Sequence, residues 1–524
     1  MYCDKENVNL LTAQLINAGI RDIVVCPGSR NAVLTHNFYE ASQRLKAFRL
    51  HPVTDERSAA FFAIGIWLAT RCPVAVCVTS GSALLNTLPG VAEAYYRQIP
   101  LVVISADRPP QWINQLDGQT LPQYGALHPY AESIQMDEHP GNVSVPVYNP
   151  LMPLHINVPI SEPLFTFTTE ELPSPEYSYF EQWPLIDNGI QDLDHIIGLI
   201  NAARLPAVIV GQYEAEAIAE LVTLDRDNKL LLLPEIISNH PGAERTAYIE
   251  QLKAEGMPLP DLVVHIGGAL VNKWLKLKLR QQDDLKVIRV DATDECPDTF
   301  SHLEVKVKYN EAKFFKIIAP LLKANSNIAD FKNAIKLPDL PLNAKEKAVA
   351  DLWQTVAENH SDNSVFFFGN SSAVRAAART IPSGQKPIYC NRGVNGIEGS
   401  LSVAAGYSAV VEHDVYCVVG DLSFFYDANA LWNTRLKGNL RIILLNDHCG
   451  GIFKNLPGLG DSPALDEFVA ARHDFGAQGI TISYDCNYIN VTNSVDYSLK
   501  LKEIINNTYD KPYIIEYDTN LEQD

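Results

Sequence analysis

Basic residues are in short supply in this 524-residue chain: 42 Lys and Arg stand against 62 Asp and Glu, a formal net charge of −20. A nucleic acid or an anionic membrane needs a basic face to neutralise its phosphates, so both are excluded as partners, and an anionic substrate needs a local cluster of arginines. The nine cysteines (3, 26, 72, 77, 296, 390, 417, 449 and 486) include no Cys-x-x-C and no paired spacing. That absence argues against a zinc site or a disulfide framework and predicts mostly buried, reduced thiols. No run of about eighteen uncharged apolar residues occurs, so membrane insertion is not expected. The opening MYCDKENVNLLTAQL is too polar for a secretory signal, and a cytoplasmic location is the expectation.

Low-complexity runs are few, and 47% hydrophobic with 20% charged residues is the composition of a folded globular protein. The length exceeds what one core fills, which calls for roughly two to four domains. From residue 8, amphipathic helical stretches alternate with short β-branched runs: DIVVC (22–26), PVAVCV (73–78) and LVVIS (101–105). Strands buried on both faces of a parallel sheet have this composition. After HINVPISEPL, the aperiodic residues 169–188 read as a linker. A second block carries AVIVG (207–211), LLLLP (230–234), LVVHIG (262–267) and VIRVD (287–291). Residues 337–347, LPDLPLNAKEK, reset the pattern before VFFFGN (365–370), VYCVVGD (415–421), RIILLN (441–446) and PYIIEY (512–517). The predicted fold is α/β, with three doubly wound units at 1–168, 189–336 and 348–524. Ligands of open parallel sheets sit at the carboxyl ends of strands, and the first and third units keep their unusual residues there. The second has no G-x-G-x-x-G and no Walker loop, and apart from Lys273 it reads as a structural spacer.

Two acids stand at strand ends of the third unit. VYCVVGDLS (415–423) closes with Gly420 and Asp421, and RIILL is followed by Asn446, Asp447, His448 and Cys449. Hard oxygen ligands at neighbouring strand ends suit a magnesium ion that shares its coordination sphere with a diphosphate, and Gly420 lets the backbone approach the phosphates. Gly-Asp after a strand is also an ordinary turn and helix cap. The spacing tips the balance, because it resembles the two-part thiamine-diphosphate motif. The resemblance puts magnesium, or manganese in its place, on Asp421, Asp447 and the backbone carbonyl of Cys449, and assigns Gly420, Leu422 and Ser423 to the cofactor. Leu422 stands where the general motif has glycine and Asp447 where it has asparagine, so one extra negative charge faces the diphosphate.

The first unit has an acid of its own. HPVTDERSAAFFAIGIWLAT sets Asp55, Glu56 and Arg57 ahead of a helix with a small face, where an isolated acid would simply favour the helix dipole. Its company changes the reading: CPGSR (26–30), TDER (54–57), VTSGSALLN (78–86) and ISADRPP (104–110) resemble, in order and spacing, the pyrimidine-binding domain of thiamine decarboxylases. Glu56 becomes the candidate for the carboxyl that bonds the aminopyrimidine ring and favours its imino form. With FGNSSAVR (368–375), YCNRGVNGIEG (389–399) and GGIF (450–453), the chain resembles along nearly its full length the 2-succinyl-5-enolpyruvyl-6-hydroxy-3-cyclohexene-1-carboxylate synthases of menaquinone biosynthesis. Gly-Asp-Leu-Ser and the arginines of CPGSR and NRG separate it from acetolactate synthases and pyruvate decarboxylases.

That resemblance implies three domains of the thiamine-diphosphate-binding, pyruvate-decarboxylase-like type. It implies decarboxylation of 2-oxoglutarate and conjugate addition of the four-carbon unit to isochorismate. It also implies a homodimer or dimer of dimers in which Glu56 of one subunit serves the cofactor of another. Both substrates are dicarboxylates, which gives the arginines a purpose. By motif matching, Arg375 and Arg392 hold the distal carboxylate of 2-oxoglutarate with Asn370 and Ser371 beside them, while Ser29, Arg30, Arg108, Gln119 and Lys273 face isochorismate. Arg108 has a plain alternative as an ion pair with Asp107, and Lys273 as part of a solvated amphipathic helix. Trp274 stands where the family often has a basic residue. Ile397 resembles the wedge that bends the cofactor, and Ile452 with Phe453 an apolar wall against water. Two rival readings stay open: another thiamine-diphosphate 2-oxo-acid decarboxylase of acetolactate-synthase type, and a non-catalytic binding subunit.

Overall fold

The computed structural model describes residues 1–140, 149, 151–174, 189–242, 258–293, 296–335, 341–359, 363–382 and 384–520. Residues 175–188 and 337–340, in the two expected linkers, lie outside the described residues.

Three sheets form, and every strand pairing within them is parallel. The first runs β2 (Arg49–Pro52), β1 (Asp22–Val25), β3 (Val74–Val78), β4 (Leu101–Asp107), β6 (Leu154–Pro159), β5 (Glu132–Gln135). The second runs β11 (Leu303–Lys308), β10 (Lys286–Asp291), β9 (Leu262–Ile266), β7 (Pro206–Val210), β8 (Leu231–Pro234). The third runs β13 (Ile388–Tyr389), β12 (Val365–Phe368), β14 (Val415–Gly420), β15 (Leu440–Asn446), β17 (Tyr513–Asp518), β16 (Asn487–Val491). In each sheet the chain lays its second strand on one side of the first and its third on the other. The order therefore reverses beside β1, β7 and β12, where a crevice opens at the strand ends.

The first and third sheets share one core. The helix Glu56–Thr70 begins where Asp55 accepts the amides of Arg57 and Ser58 at 2.9 and 3.2 Å, and it is apolar on nearly every side. Such a helix must be buried all round, and it packs Phe61, Phe62 and Ala63 against the helix Ser400–Ser408 of the third unit. The two backbones meet through glycine. A Cβ on Gly65 would lie 2.0 Å from the carbonyl oxygen of Val403, and one on Gly406 would lie 1.9 Å from that of Phe62. The cysteines are free, and six of the nine are buried. Among the described residues no helix is long and apolar enough to cross a membrane.

Candidate active site

The third sheet brings its two acids together. β14 and β15 are bonded neighbours with Gly420 opposite Leu445, so Asp421 and Asp447 leave adjacent strand ends, as the sequence predicts. Asp421 is buried, its Oδ1 accepting from the Leu422 amide at 2.7 Å and its Oδ2 from the Cys449 amide at 2.9 Å. His448 makes that return possible with a left-handed φ of 56° and an amide bond to Asn446 Oδ1 at 2.9 Å. Burial, and next the neighbouring Asp447, push the Asp421 carboxyl above its ordinary pKa. A divalent cation with a preference for oxygen relieves two like charges held this way.

Basic side chains stand at both acids: Lys345 Nζ lies 2.5 Å from Asp447 Oδ2, and His473 Nε2 lies 3.2 Å from Asp421 Oδ2 without hydrogen-bond alignment. The Cys449 carbonyl accepts the Gly451 amide at 2.9 Å and keeps a second lone pair. Nothing lies within 4 Å of the Cβ that Gly420 lacks, which leaves room for a phosphate against the backbone. Among the described residues no group of three His, Cys, Asp or Glu side chains is set to hold a metal alone. Two carboxylates, one carbonyl and phosphate oxygens form a donor set that fits magnesium. Leu422 and Ser423 follow in the helix Asp421–Tyr426, and Ile452 and Phe453, both half-buried, stand in the turn Gly451–Asn455.

Glu56 is half-buried, and its Oε2 accepts from Asn86 Nδ2 at 3.3 Å. Its neighbours are moored to the third unit: Arg57 Nη2 donates to the Tyr426 carbonyl at 2.7 Å, and Asn429 Nδ2 donates to Asp55 Oδ2 at 2.8 Å. The start of the helix Glu56–Thr70 is thus moored to residues 426–429 of the third unit. Ile397 is exposed in the loop that precedes the helix Ser400–Ser408.

The predicted substrate residues fall into two groups. Arg30, after β1, is buried, donates Nη1 to the Ile160 carbonyl at 3.0 Å and pairs Nη2 with Glu162 at 3.2 Å. Burial lowers its pKa against the pull of Glu162, and Arg108 adds to the lowering as a neighbouring cation. Arg108 offers Asp107 only its backbone amide, at 2.8 Å, and its guanidinium Nε donates to the Gly118 carbonyl at 3.2 Å. The side-chain ion pair considered for Arg108 and Asp107 does not form. Gln119, exposed and at φ 56°, lies beside Gly81, whose absent Cβ would be 3.1 Å from it. Ser29 is exposed next to Arg30.

The second group joins all three units. Asn370 and Ser371 follow β12, and Ser371 holds a strained φ of 73° before the helix Ser372–Thr380. Asn370 Nδ2 donates to the carbonyls of Asn391 and Gly396 at 2.6 and 2.7 Å, and its Oδ1 accepts from Arg392 Nη1 at 3.2 Å. Arg392 Nη2 donates to the Leu270 carbonyl of the second unit at 2.8 Å. Glu93, buried in the first unit, accepts the amides of Gly393 and Val394 at 3.0 and 2.8 Å. Arg375 stands beside Arg392. Burial and then that like charge lower its pKa, and its Nη1 is a buried donor with no partner, as is Nε of Arg392. Lys273, exposed, opens the helix Lys273–Arg280 of the second unit. The second unit is therefore more than a spacer with one lysine: its Leu270 carbonyl and the loop to Lys273 hold Arg392 in place.

Residues 6–127 match the family model "Thiamine pyrophosphate enzyme, N-terminal TPP binding domain", and residues 369–517 match its C-terminal TPP binding counterpart. A 2-succinyl-5-enolpyruvyl-6-hydroxy-3-cyclohexene-1-carboxylate synthase of Bacteroides thetaiotaomicron is 36% identical over 100% of this chain and 98% of its own length. The synthase of Bacteroides fragilis is 38% identical over 91% of this chain and 89% of its own, and that of Flavobacterium johnsoniae 32% identical over 95% and 93%. The chain belongs to the 2-succinyl-5-enolpyruvyl-6-hydroxy-3-cyclohexene-1-carboxylate (SEPHCHC) synthase family. It is a thiamine pyrophosphate enzyme with the three parallel α/β sheets of that class.

Several residues around the candidate site of this SEPHCHC synthase family member escaped the sequence. Glu93 lies on the otherwise apolar face of LPGVAEAYY, and an acid there is itself a signal, since a buried carboxylate needs partners. Glu235 directly follows β8, at the strand end where ligands gather. Lys345 stands in the first turn of the helix Ala344–Glu358 and His473 in a loop, with nothing local to mark either for the site.

Proposed function

We propose that this family member carries out the synthase reaction itself: decarboxylation of 2-oxoglutarate and conjugate addition of the four-carbon unit to isochorismate, with thiamine diphosphate and magnesium, in the cytoplasm. Thiamine diphosphate, when bound, supplies the electron sink for loss of carbon dioxide from a 2-oxo acid. Asp421, Asp447 and the Cys449 carbonyl hold the metal. Glu56 shares a proton with the ring nitrogen of the aminopyrimidine. Ile397 would support the cofactor when it is bound, and Ile452 with Phe453 would keep water from the reacting carbon.

The observation that carries the substrate reading is the Arg375–Arg392 pair. Two guanidinium groups, one with a buried and unpartnered Nη1, lie side by side in a chain of net charge −20. Like charges placed together with spare donors are stabilised by a carboxylate that pairs with both. Pyruvate has no distal carboxylate to offer them. Ser29, Arg30, Arg108, Gln119 and Lys273 remain the candidates for the carboxylates of isochorismate.

A homodimer or dimer of dimers completes the proposal, with Glu56 serving the partner's cofactor. Leu85, Tyr96, Val394, Ile397 and Tyr426 are large apolar side chains left exposed around Glu56 and the Arg392 loop, and that surface supports a subunit contact. The test is product formation from 2-oxoglutarate and isochorismate by the purified holoenzyme, with carbon dioxide release from pyruvate measured alongside. Turnover of 2-oxoglutarate that disappears in Glu56→Gln supports the reading. Preference for pyruvate overturns the substrate, and full activity of Glu56→Gln overturns the role of that acid.

A further inference from the structure

The helix Lys273–Arg280 carries two further lysines, of which one is half-buried. Lys276 stands three residues after Lys273, on the same helical face. It is half-buried and, among the described residues, makes no hydrogen bond or close ion pair. Around it are Arg280, Arg392 and Lys273, with Glu235 as an opposing charge, and burial followed by those cations lowers its pKa. Glu235 is itself buried. Its Oε1 accepts the Asn272 amide at 2.9 Å and its Oε2 has no hydrogen-bond partner. Burial lifts its pKa to about 7 against the pull of the Asn272 amide, Arg392 and Lys276.

Lys273 and Lys276 stand on one helix, Arg392 bonds the Leu270 carbonyl just before it and Glu235 bonds the Asn272 amide at its start, so these cations and Arg375 beside Arg392 gather around one buried acid. Gathering like charges in a half-buried place costs free energy, and an arriving anion returns it. Trp274, where the resemblance leads one to expect a basic residue, is turned the other way. It packs with Leu275 and Leu279 against the core of the second sheet.

We propose that Lys276 is a substrate-binding residue, whose ammonium pairs with a carboxylate of a dianionic substrate beside Arg392. The inference rests on the substrate reading above. Its test is calorimetric titration of the full-length holoenzyme and its Lys276→Gln variant with succinate and with chorismate, two non-reacting dicarboxylates that mimic the donor unit and the acceptor ring. Lys276→Gln is expected to weaken one of them about tenfold, the low end for a lost charge-assisted hydrogen bond, and to raise the KM of the matching substrate equally with kcat little changed. Which ligand weakens identifies the carboxylate that Lys276 meets. Lys276→Arg should keep most of the affinity, and thiamine diphosphate affinity should not move in either variant. Unchanged titrations with both ligands overturn the proposal, as does an equal loss of cofactor affinity, which would mark Lys276 as structural. Wild-type protein that binds the two ligands but turns over neither substrate overturns the reaction, while the titrations still decide Lys276.

Discussion

Replacing Gly65 by alanine should destabilise the protein, although the same change in a helix interior ordinarily stabilises it. Alanine gains about 1 kcal/mol over glycine in a helix from backbone entropy alone. At Gly65 the new Cβ would stand 2.0 Å from the Val403 carbonyl oxygen and 2.7 Å from the Tyr407 amide nitrogen, both backbone atoms that no rotamer change can move. A contact of that kind does not close below 3.0 Å, so the two helices must part by about 1 Å. Forced separation of packed helices falls at the upper end of overpacking costs, about 3 kcal/mol, leaving a net loss of about 2 kcal/mol. The natural control is Gly198→Ala in the helix Leu193–Ala202, where the added Cβ meets nothing within 4 Å and only the propensity gain remains. Thermal and denaturant unfolding of the two variants should move in opposite directions, and Gly65→Ala should also weaken thiamine diphosphate, because the same helix begins with Glu56. A Gly65→Ala protein as stable as Gly198→Ala would refute the close packing of first and third units.

Arg375→Met should raise the KM for 2-oxoglutarate by about 30- to 100-fold, the cost of a buried charge-assisted contact, and steady-state kinetics would read it. Lys345→Met removes the cation 2.5 Å from Asp447 and should weaken thiamine diphosphate severalfold in a fluorescence titration at saturating magnesium; adding Asp447→Asn, which removes the uncompensated charge, should restore it. Burial holds the His155 imidazole at about 4 from an ordinary 6.5. In that pH window the unfolded ring binds a proton that the folded ring refuses, so stability falls as pH drops from 6.5 to 4. His155→Gln should flatten that stretch of the stability profile.

The interior of each sheet was legible because a strand covered on both faces must be continuously apolar. β3, β7, β9, β14 and β15 are buried almost end to end, and their runs stand out. β2, β5, β11, β13 and β16 lie at sheet edges, and all but β13 are largely half-exposed; only β8, an edge strand of four buried residues, reads like an inner one. Glu56, Asp421 and Asp447 were readable for a related reason, since each sits at the start of a helix or the end of a strand within a short motif. What Arg392 touches was not readable. Glu93 bonds the amide next to it from 300 residues away, and the Leu270 carbonyl comes from another sheet. Such partners are chosen by how the units dock, which no local pattern records.

In the proposed function one coenzyme is held at one end by Glu56 of one subunit and at the other by Asp421 and Asp447 of its partner. Co-expression of differently tagged Glu56→Gln and Asp421→Ala chains, followed by purification on both tags, isolates mixed dimers with one intact pairing of acid and metal site. Each variant alone should be inactive, and the mixed dimer should recover up to about half of the wild-type turnover of 2-oxoglutarate with isochorismate, one working site of two. Mixed dimers as inactive as their parents would contradict a shared site, and an active Glu56→Gln or Asp421→Ala homodimer would contradict the grip itself.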